Sequence, residues 1–383
     1  MMAVGVAVEV PESAEQAGAI LRDAAERGAR VRVSGAGTRR WGACGEPADL
    51  ELRTRGLRRV VEHNAGDFTV IAEAGLPVAD LQATLAAAGQ RLALDPPGGG
   101  TLGGLVASGD SGPLRHRFGA ARDLVIGVRV ALVDGTTARA GGRVIKNVAG
   151  YDLGKLFAAS FGTLGVLCEV ALRLHPRPTA TATAVGSGQD PRALAGAAAA
   201  LARRPLEADA LDVRWAGGEG AILVRFSGET APGAAAGARD LLRGAGLEAA
   251  VHGDDEALWE AQRGGQRSAD GVVARVSATP DRLVDVLQGA REAGAQLVGR
   301  AALGLAWLRL EGLAPADTVA RVAALRARLA PAPCVVLDAP REVRDALDPW
   351  GPIAPATLAL MRAVKARFDP LGTLEPGTFV GGV

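Results

Sequence analysis

One segment limits what this chain can become more than any other: Pro97-Gly98-Gly99-Gly100-Thr101-Leu102-Gly103-Gly104, followed at once by Leu105-Val106-Ala107-Ser108. Five of the first eight residues are glycine. Each loses more backbone freedom on folding than any other residue, so packing alone does not justify the run. Its usual reason is close approach of backbone to a ligand. Leu102, Leu105 and Val106 call for burial and argue against a free surface loop. Val106, Ala107 and Ser108 are small enough to suit the face of a flat ring system.

A second glycine loop lies earlier. Ser13 to Arg27 reads as a helix: Ser13 and Gln16 form a capping pattern, Ala17, Ile20, Leu21 and Ala24 give an apolar stripe, and Gly28 stops it. A short strand through Val31 and Val33 then enters Ser34-Gly35-Ala36-Gly37-Thr38. Glycines there let N–H groups approach an anion, Thr38 adds a hydroxyl donor, and Arg39 and Arg40 could balance phosphate charge. Alone, the loop reads equally as a tight turn. It is not a Walker loop, because no Gly-Lys-Ser or Gly-Lys-Thr follows, and it lacks the third glycine of the Rossmann fingerprint. A third segment, Lys146-Asn147-Val148-Ala149-Gly150-Tyr151-Asp152-Leu153, holds the single tyrosine and precedes Ser160-Phe161-Gly162-Thr163-Leu164-Gly165-Val166.

At 383 residues the chain is too long for one ordinary core. Strands are predicted over 69–74, 125–133 and 165–174, with a helix over 77–88. The stretch 95–122 shows little regular periodicity. Beyond Pro176-Arg177-Pro178 strands at 221–226, 272–276 and 305–310 alternate with helices at 232–243, 280–293 and 315–329, and a last helix falls near 355–368. The Ala197–Ala200 run reads as a surface helix. The divisions are 1–177, 178–340 and 341–383. With 43 basic and 42 acidic residues, the net charge of +1 points to neither nucleic acid nor an anionic membrane as partner. No apolar run reaches the about 18 residues of a membrane span, and Met1 to Val10 does not read as a secretory signal. The expected location is the cytoplasm. Cys44, Cys168 and Cys334 are widely spaced and read as reduced thiols; three cannot supply the usual four ligands of an iron–sulfur cluster.

Together, Ser-Gly-Ala-Gly-Thr, then Gly-Thr-Leu-Gly-Gly-Leu-Val-Ala about sixty residues later, then Lys-Asn-Val-Ala-Gly-Tyr-Asp-Leu and Phe-Gly-Thr-Leu-Gly-Val, resemble the FAD-binding domain of the vanillyl-alcohol-oxidase, or PCMH, type. Within it, the chain is most similar to the family of FAD-binding E subunits of bacterial glycolate oxidases. The resemblance covers about residues 10–178 and returns at Arg367 to Gly377. It implies an α+β fold: a PCMH-type FAD-binding domain, an α+β antiparallel-sheet cap, and a C-terminal segment packing back on the FAD domain. It implies FAD held by Ser34, Gly35, Ala36, Gly37, Thr38, Gly100, Thr101, Gly103, Gly104, Ala107, Ser108, Gly162, Gly165 and Val166. The first loop continues Thr38-Arg39-Arg40-Trp41 without the His that several relatives use for covalent attachment, and Cys44 lies beyond it, so the FAD is expected to be non-covalent.

The resemblance further implies a complex with a catalytic flavoprotein subunit and an iron–sulfur subunit, oxidising glycolate and related 2-hydroxy acids such as D-lactate to 2-oxo acids. The location becomes cytoplasmic, or the periphery of the inner membrane through that complex. The catalytic sister subunits carry a His-rich metal-binding cap motif. This chain has only His63, His116, His175 and His252, none paired at i, i+4, so no metal site is expected. Phe161 also replaces an acidic residue of the sister pattern. The arginines Arg115, Arg117 and Arg122, and Arg214, Arg225 and Arg275 of the cap, could hold an anion but are poor bases. No catalytic residue is assigned, and an auxiliary or electron-relaying role follows. A self-sufficient oxidoreductase using Tyr151 or a cap residue, and a scaffold without functional flavin, are the alternatives.

Overall fold

The computed structural model describes residues 6–142 and 151–383. The helix Ala14–Glu26 begins at Ser13, whose hydroxyl accepts from Gln16 N at 3.1 Å. The Gln16 side chain reaches back to Glu12 N at 2.7 Å. Ala17, Leu21 and Ala24 are fully buried, and Gly28 takes a φ of 65° to stop the helix.

Three larger sheets organise the described residues, beside a two-stranded pairing of His175–Pro176 with Gln90–Arg91. Ala7–Glu9, Leu50–Arg53 and Val31–Ser34 form a small parallel sheet with Leu50–Arg53 in the middle. Leu374 bridges Val31 at its edge, so the end of the chain lies against the strand that feeds the first glycine loop. An antiparallel sheet follows in the order Val60–Asn64, Thr69–Glu73, Val166–Arg173, Val125–Ala131, Thr137–Gly141. The third sheet has eight antiparallel strands and runs from Glu248–His252 at one edge to Cys334–Val336 at the other.

Alternation gives this large sheet two faces with different work. Val213, Val224, Ala274, Leu297 and Leu308 pack against the helices Pro191–Ala202, Ala231–Gly244, Leu283–Ala293 and Pro315–Leu329. The intervening residues Asp212, Val273, Arg275, Val298, Arg300 and Trp307 take the other face. There Val273, Val298 and Trp307 join Trp41 and Leu337 in one buried cluster. Trp41 follows the first glycine loop, so this face is where the large sheet meets that loop.

The stretch with little periodicity holds the helices Leu102–Ser108, Arg115–Phe118 and Ala121–Leu124, all too short for a 3.6-residue period to show. The alanine run belongs to a helix that buries Leu194, Ala197, Ala198 and Leu201 on one face and exposes Arg192, Gly196 and Ala200 on the other. Lys146 to Gly150 lie outside the described residues.

Candidate cofactor site

The strand Val31–Ser34 ends in the first glycine loop, and Gly35 turns directly over Thr101 of the second. A Cβ on Gly35 would stand 2.0 Å from Thr101 Oγ1, which no side chain tolerates. Thr101 also caps the helix Leu102–Ser108, accepting from Gly104 N at 3.3 Å. Gly103 is held to the neighbouring sheet: its N–H donates to Ala74 O at 2.7 Å, and a Cβ there would lie 2.8 Å from Ala74 Cβ. Gly104 differs. Its Cβ would meet only Thr101 Oγ1, at 3.2 Å.

Arg39 ties the two loops together. Its guanidinium donates to Gly99 O at 2.8 Å, to Pro97 O at 3.1 Å and to Asp110 Oδ2 at 2.9 Å. Both charged side chains are buried. Arg39 is therefore a structural bolt and not a free phosphate counter-charge, while Arg40 is exposed and pairs with Glu51 at 3.1 Å. Farther along, Phe161 N donates to Ala107 O at 2.8 Å, which brings Ser160 to Gly165 beside the second loop. Phe161 holds a left-handed φ of 55° and stacks on Phe379 at 5.1 Å.

These segments enclose a cavity of about 630 Å³. Of the residues expected at a cofactor, Ser34, Gly35, Ala36, Gly37, Thr38, Thr101, Gly103, Gly104, Ala107, Ser108, Gly162 and Gly165 all line it. Gly100 and Val166 do not. Gly100 takes a φ of 139° behind the Arg39 side chain, and the Val166 side chain is buried in the core. The sequence reading missed the far wall: Cys44, Arg341, Arg344 and Glu375. The resemblance at Arg367 to Gly377 marked a returning segment, but no local pattern marks these four side chains as part of the lining. Glu375 N donates to Val31 O at 2.9 Å, and Val33 N donates to Glu375 Oε1 at 2.6 Å. Burial pushes the Glu375 carboxyl up to about 7, against the opposing pull of the Val33 N–H and of Arg32.

No described histidine lines the cavity. His63 Nε2 lies 2.9 Å from Gln90 Oε1. His116 and His175 are held neutral mainly by burial, and His252 is exposed on an edge strand. Tyr151 is 91% exposed and is not in the lining. The cap arginines also stand away from it: Arg225 pairs with Asp255 at 2.9 Å, and Arg275 is buried near Asp110 and Arg115. A second cavity of about 720 Å³ opens beside His175 and Phe226, but its Arg91 and Arg117 are engaged by Asp209.

Two glycine loops meeting across a cavity of ordinary ligand size, with backbone and small side chains as walls, define a nucleotide-cofactor protein. Residues 6–141 match the family described as FAD binding domain, and FAD is the cofactor. Over 130 residues the chain is 42% identical to glycolate oxidase subunit GlcE of Escherichia coli, which covers 33% of this chain and 37% of that protein. Over 175 residues it is 31% identical to glycolate oxidase subunit GlcD of Bacillus subtilis, covering 45% and 37% respectively. The matched stretches thus span little more than a third of these relatives. A solved alkyldihydroxyacetonephosphate synthase superposes with a TM-score of 0.71 at 15% identity, covering 97% of this chain and 77% of that one. The fold is α+β, of the PCMH-type FAD-binding kind.

The residues present fit FAD. Gly35 leaves no volume for a side chain and Gly104 leaves its volume to the cavity. Of the arginines in the lining, Arg39, Arg40 and Arg341 are paired with Asp110, Glu51 and Asp345 and Arg344 donates to three carbonyls, so the room for the cofactor comes from the glycine loops and not from a surplus of free cations.

Proposed function

We propose that this chain is an FAD-binding subunit of a glycolate oxidase or dehydrogenase complex, acting on glycolate and related 2-hydroxy acids such as D-lactate, and that its role is auxiliary or electron-relaying. The likeness to GlcE and GlcD supports the reaction class. The lining of the cavity supports the role. Oxidising a 2-hydroxy acid needs a group that accepts the hydroxyl proton and a cation free to hold the carboxylate. No imidazole stands in the lining, Arg39 is consumed by Asp110 and two carbonyls, and Arg344 is consumed by the carbonyls of Gly42, Leu337 and Ala339. Where the large sheet approaches, Trp41 Nε1 donates to Asp338 at 3.0 Å and Arg267 closes on the same carboxylate at 2.7 Å.

FAD, when bound, supplies hydride acceptance and single-electron transfer. The chain's own residues bind it, exclude water and set the surrounding charge. Its partners in this reading are a catalytic flavoprotein subunit and an iron–sulfur subunit. It lies in the cytoplasm, or at the inner membrane through the complex; among the described residues no helix is long and apolar enough to cross a membrane. We divide it into an FAD domain (1–177), a cap (178–340) and a returning C-terminal segment (341–383). The expected residues that line the cavity, all but Gly100 and Val166, are the cofactor contacts in this reading, and they hold FAD without a covalent bond.

The test is anaerobic mixing of the FAD-loaded chain with glycolate and with D-lactate. Flavin absorbance is expected to persist with the chain alone and to bleach once the catalytic partner is added. Rapid bleaching of the chain alone would instead establish a self-sufficient enzyme, for which Glu375, the one carboxyl in the lining, is the candidate base.

A further inference from the structure

Glu375 is a buried acid, the one carboxyl in a cavity lined by the glycine loops, by arginines and by apolar side chains such as Trp41, Phe161 and Leu167. It is 8% exposed and holds a left-handed φ of 48°. A residue other than glycine in that region is strained, and such strain survives only where the surroundings over-determine it. Here they do. Its own N–H donates to Val31 O, its Oε1 accepts from Val33 N, and Thr378 Oγ1 lies 3.5 Å from its Oε2. Its Cγ would stand 3.7 Å from a Cβ on Gly162. The side chain is thus fixed one residue from Ser34, where the first glycine loop begins.

The charged groups around it leave it without a counter-ion. Arg40 is engaged by Glu51 at 3.1 Å and Lys365 by Asp369 at 2.7 Å. Arg32 acts on it through space. Among the described residues no cation forms an ion pair with this carboxyl. An anionic diphosphate entering the same enclosed space penalises the ionised carboxylate further, whereas the neutral acid keeps an O–H to donate.

We propose that Glu375 is a further cofactor-binding residue, one that meets the FAD diphosphate as a neutral acid, so that FAD binding takes up one proton. This rests on the FAD reading of the cavity. The proton comes from solvent and adds to the Glu375 carboxylate; no other bond changes. Burial already lifts this carboxyl to about 7, so a substantial part is ionised in the free protein at neutral pH and binding completes the protonation. The other group in the lining that could lose a proton toward the alkaline end, Cys44, has its thiol shifted upward by partial desolvation and by Asp345, away from neutrality.

The experiment is FAD titration of the flavin-free full chain, followed by flavin fluorescence from about pH 6 to about pH 9, with calorimetry in two buffers of different ionisation enthalpy. The expected wild-type Kd is flat at the acid end and rises toward about tenfold per pH unit above neutrality, the signature of one linked proton. The calorimetric difference between buffers should report uptake approaching one proton at the alkaline end. Glu375→Gln keeps an acceptor for Val33 N and a donor toward the cofactor; its Kd should be independent of pH and tighter than wild type at the alkaline end. Saturable FAD binding with a flat wild-type Kd and no buffer-dependent heat overturns the proposal, as does a Glu375→Gln chain that retains the slope. The two-buffer measurement on wild type decides the matter even if the variant folds poorly. No saturable FAD binding at any pH would overturn the cofactor reading itself, and this proposal with it.

Discussion

Arg39 and Asp110 form a buried ion pair, 2.9 Å from Nε to Oδ2, that joins the first glycine loop to the segment following the second. The remaining guanidinium nitrogens hold the carbonyls of Pro97 and Gly99. The loops that wall the cofactor cavity are therefore clamped to each other before any ligand arrives. Removing one partner of such a pair strands the other charge in a low dielectric. Arg39→Ala should lower stability by about 3–5 kcal/mol, read as the shift of the urea midpoint at unchanged slope. A loss below about 1 kcal/mol would mean that the clamp is ornamental.

Two glycines of the same cavity should respond in different ways. Gly35→Ala places a methyl 2.0 Å from Thr101 Oγ1, so the loops must separate and both stability and FAD occupancy should fall. Gly104→Leu sends its side chain toward open cavity, beyond a single contact at 3.2 Å. That variant should remain folded by circular dichroism yet carry well below half the wild-type flavin per chain. Full flavin content in Gly104→Leu would put the cofactor elsewhere.

Heat or acid should release the flavin completely. Cys44 lines the cavity, but its Sγ lies 3.5 Å from Asp345 Oδ1, and burial together with that carboxylate keeps it a thiol. The thiolate is the reactive form. Cys44→Ser should leave flavin content unchanged, and no flavin fluorescence should travel with the denatured polypeptide on a gel.

Asp95 links stability to pH. The residue is half-buried, Leu114 N donates to it at 3.0 Å, and withdrawal of its carboxyl from water lifts it to about 7 despite the opposing charges of Arg300 and Arg263. Near its ordinary value the unfolded chain loses this proton while the folded chain keeps it. The folded state then binds more protons, so stability falls as pH rises from about 4 to about 7. Asp95→Asn preserves the acceptor for Leu114 N and removes the proton. Relative to wild type it should gain on the order of 1–3 kcal/mol between those limits, measured by urea unfolding. A difference independent of pH would show that Asp95 does not titrate there.

Local pattern alone determined a good deal of this protein. The helix Ala14–Glu26, the strands Val272–Ser277 and Leu305–Leu310, and the helices Pro315–Leu329 and Pro355–Phe368 all fall where period, cap and proline place them. The second glycine loop was equally legible, because a run such as Gly98 to Gly104 has few physical reasons to exist apart from a ligand, whereas Ser34 to Thr38 alone could as well be a tight turn. Short helices such as Arg115–Phe118 left no trace, since four residues cannot display a period of 3.6.

What only tertiary structure decided is which side chains reach the cavity and in what state. Arg39 looked like a phosphate ligand; Asp110, 71 positions away in the chain, turns it into a clamp. Val166 reads as part of a cofactor motif, yet strand alternation directs its side chain into the core. Glu375 carries no local mark of its role until the chain end pairs with Val31 and sets its carboxyl against Val33 N, 342 positions away in the chain. Sequence fixes local propensity and the identity of each group. Burial, partner and charge state depend on long-range packing, and those three quantities set what a carboxyl or a guanidinium can do.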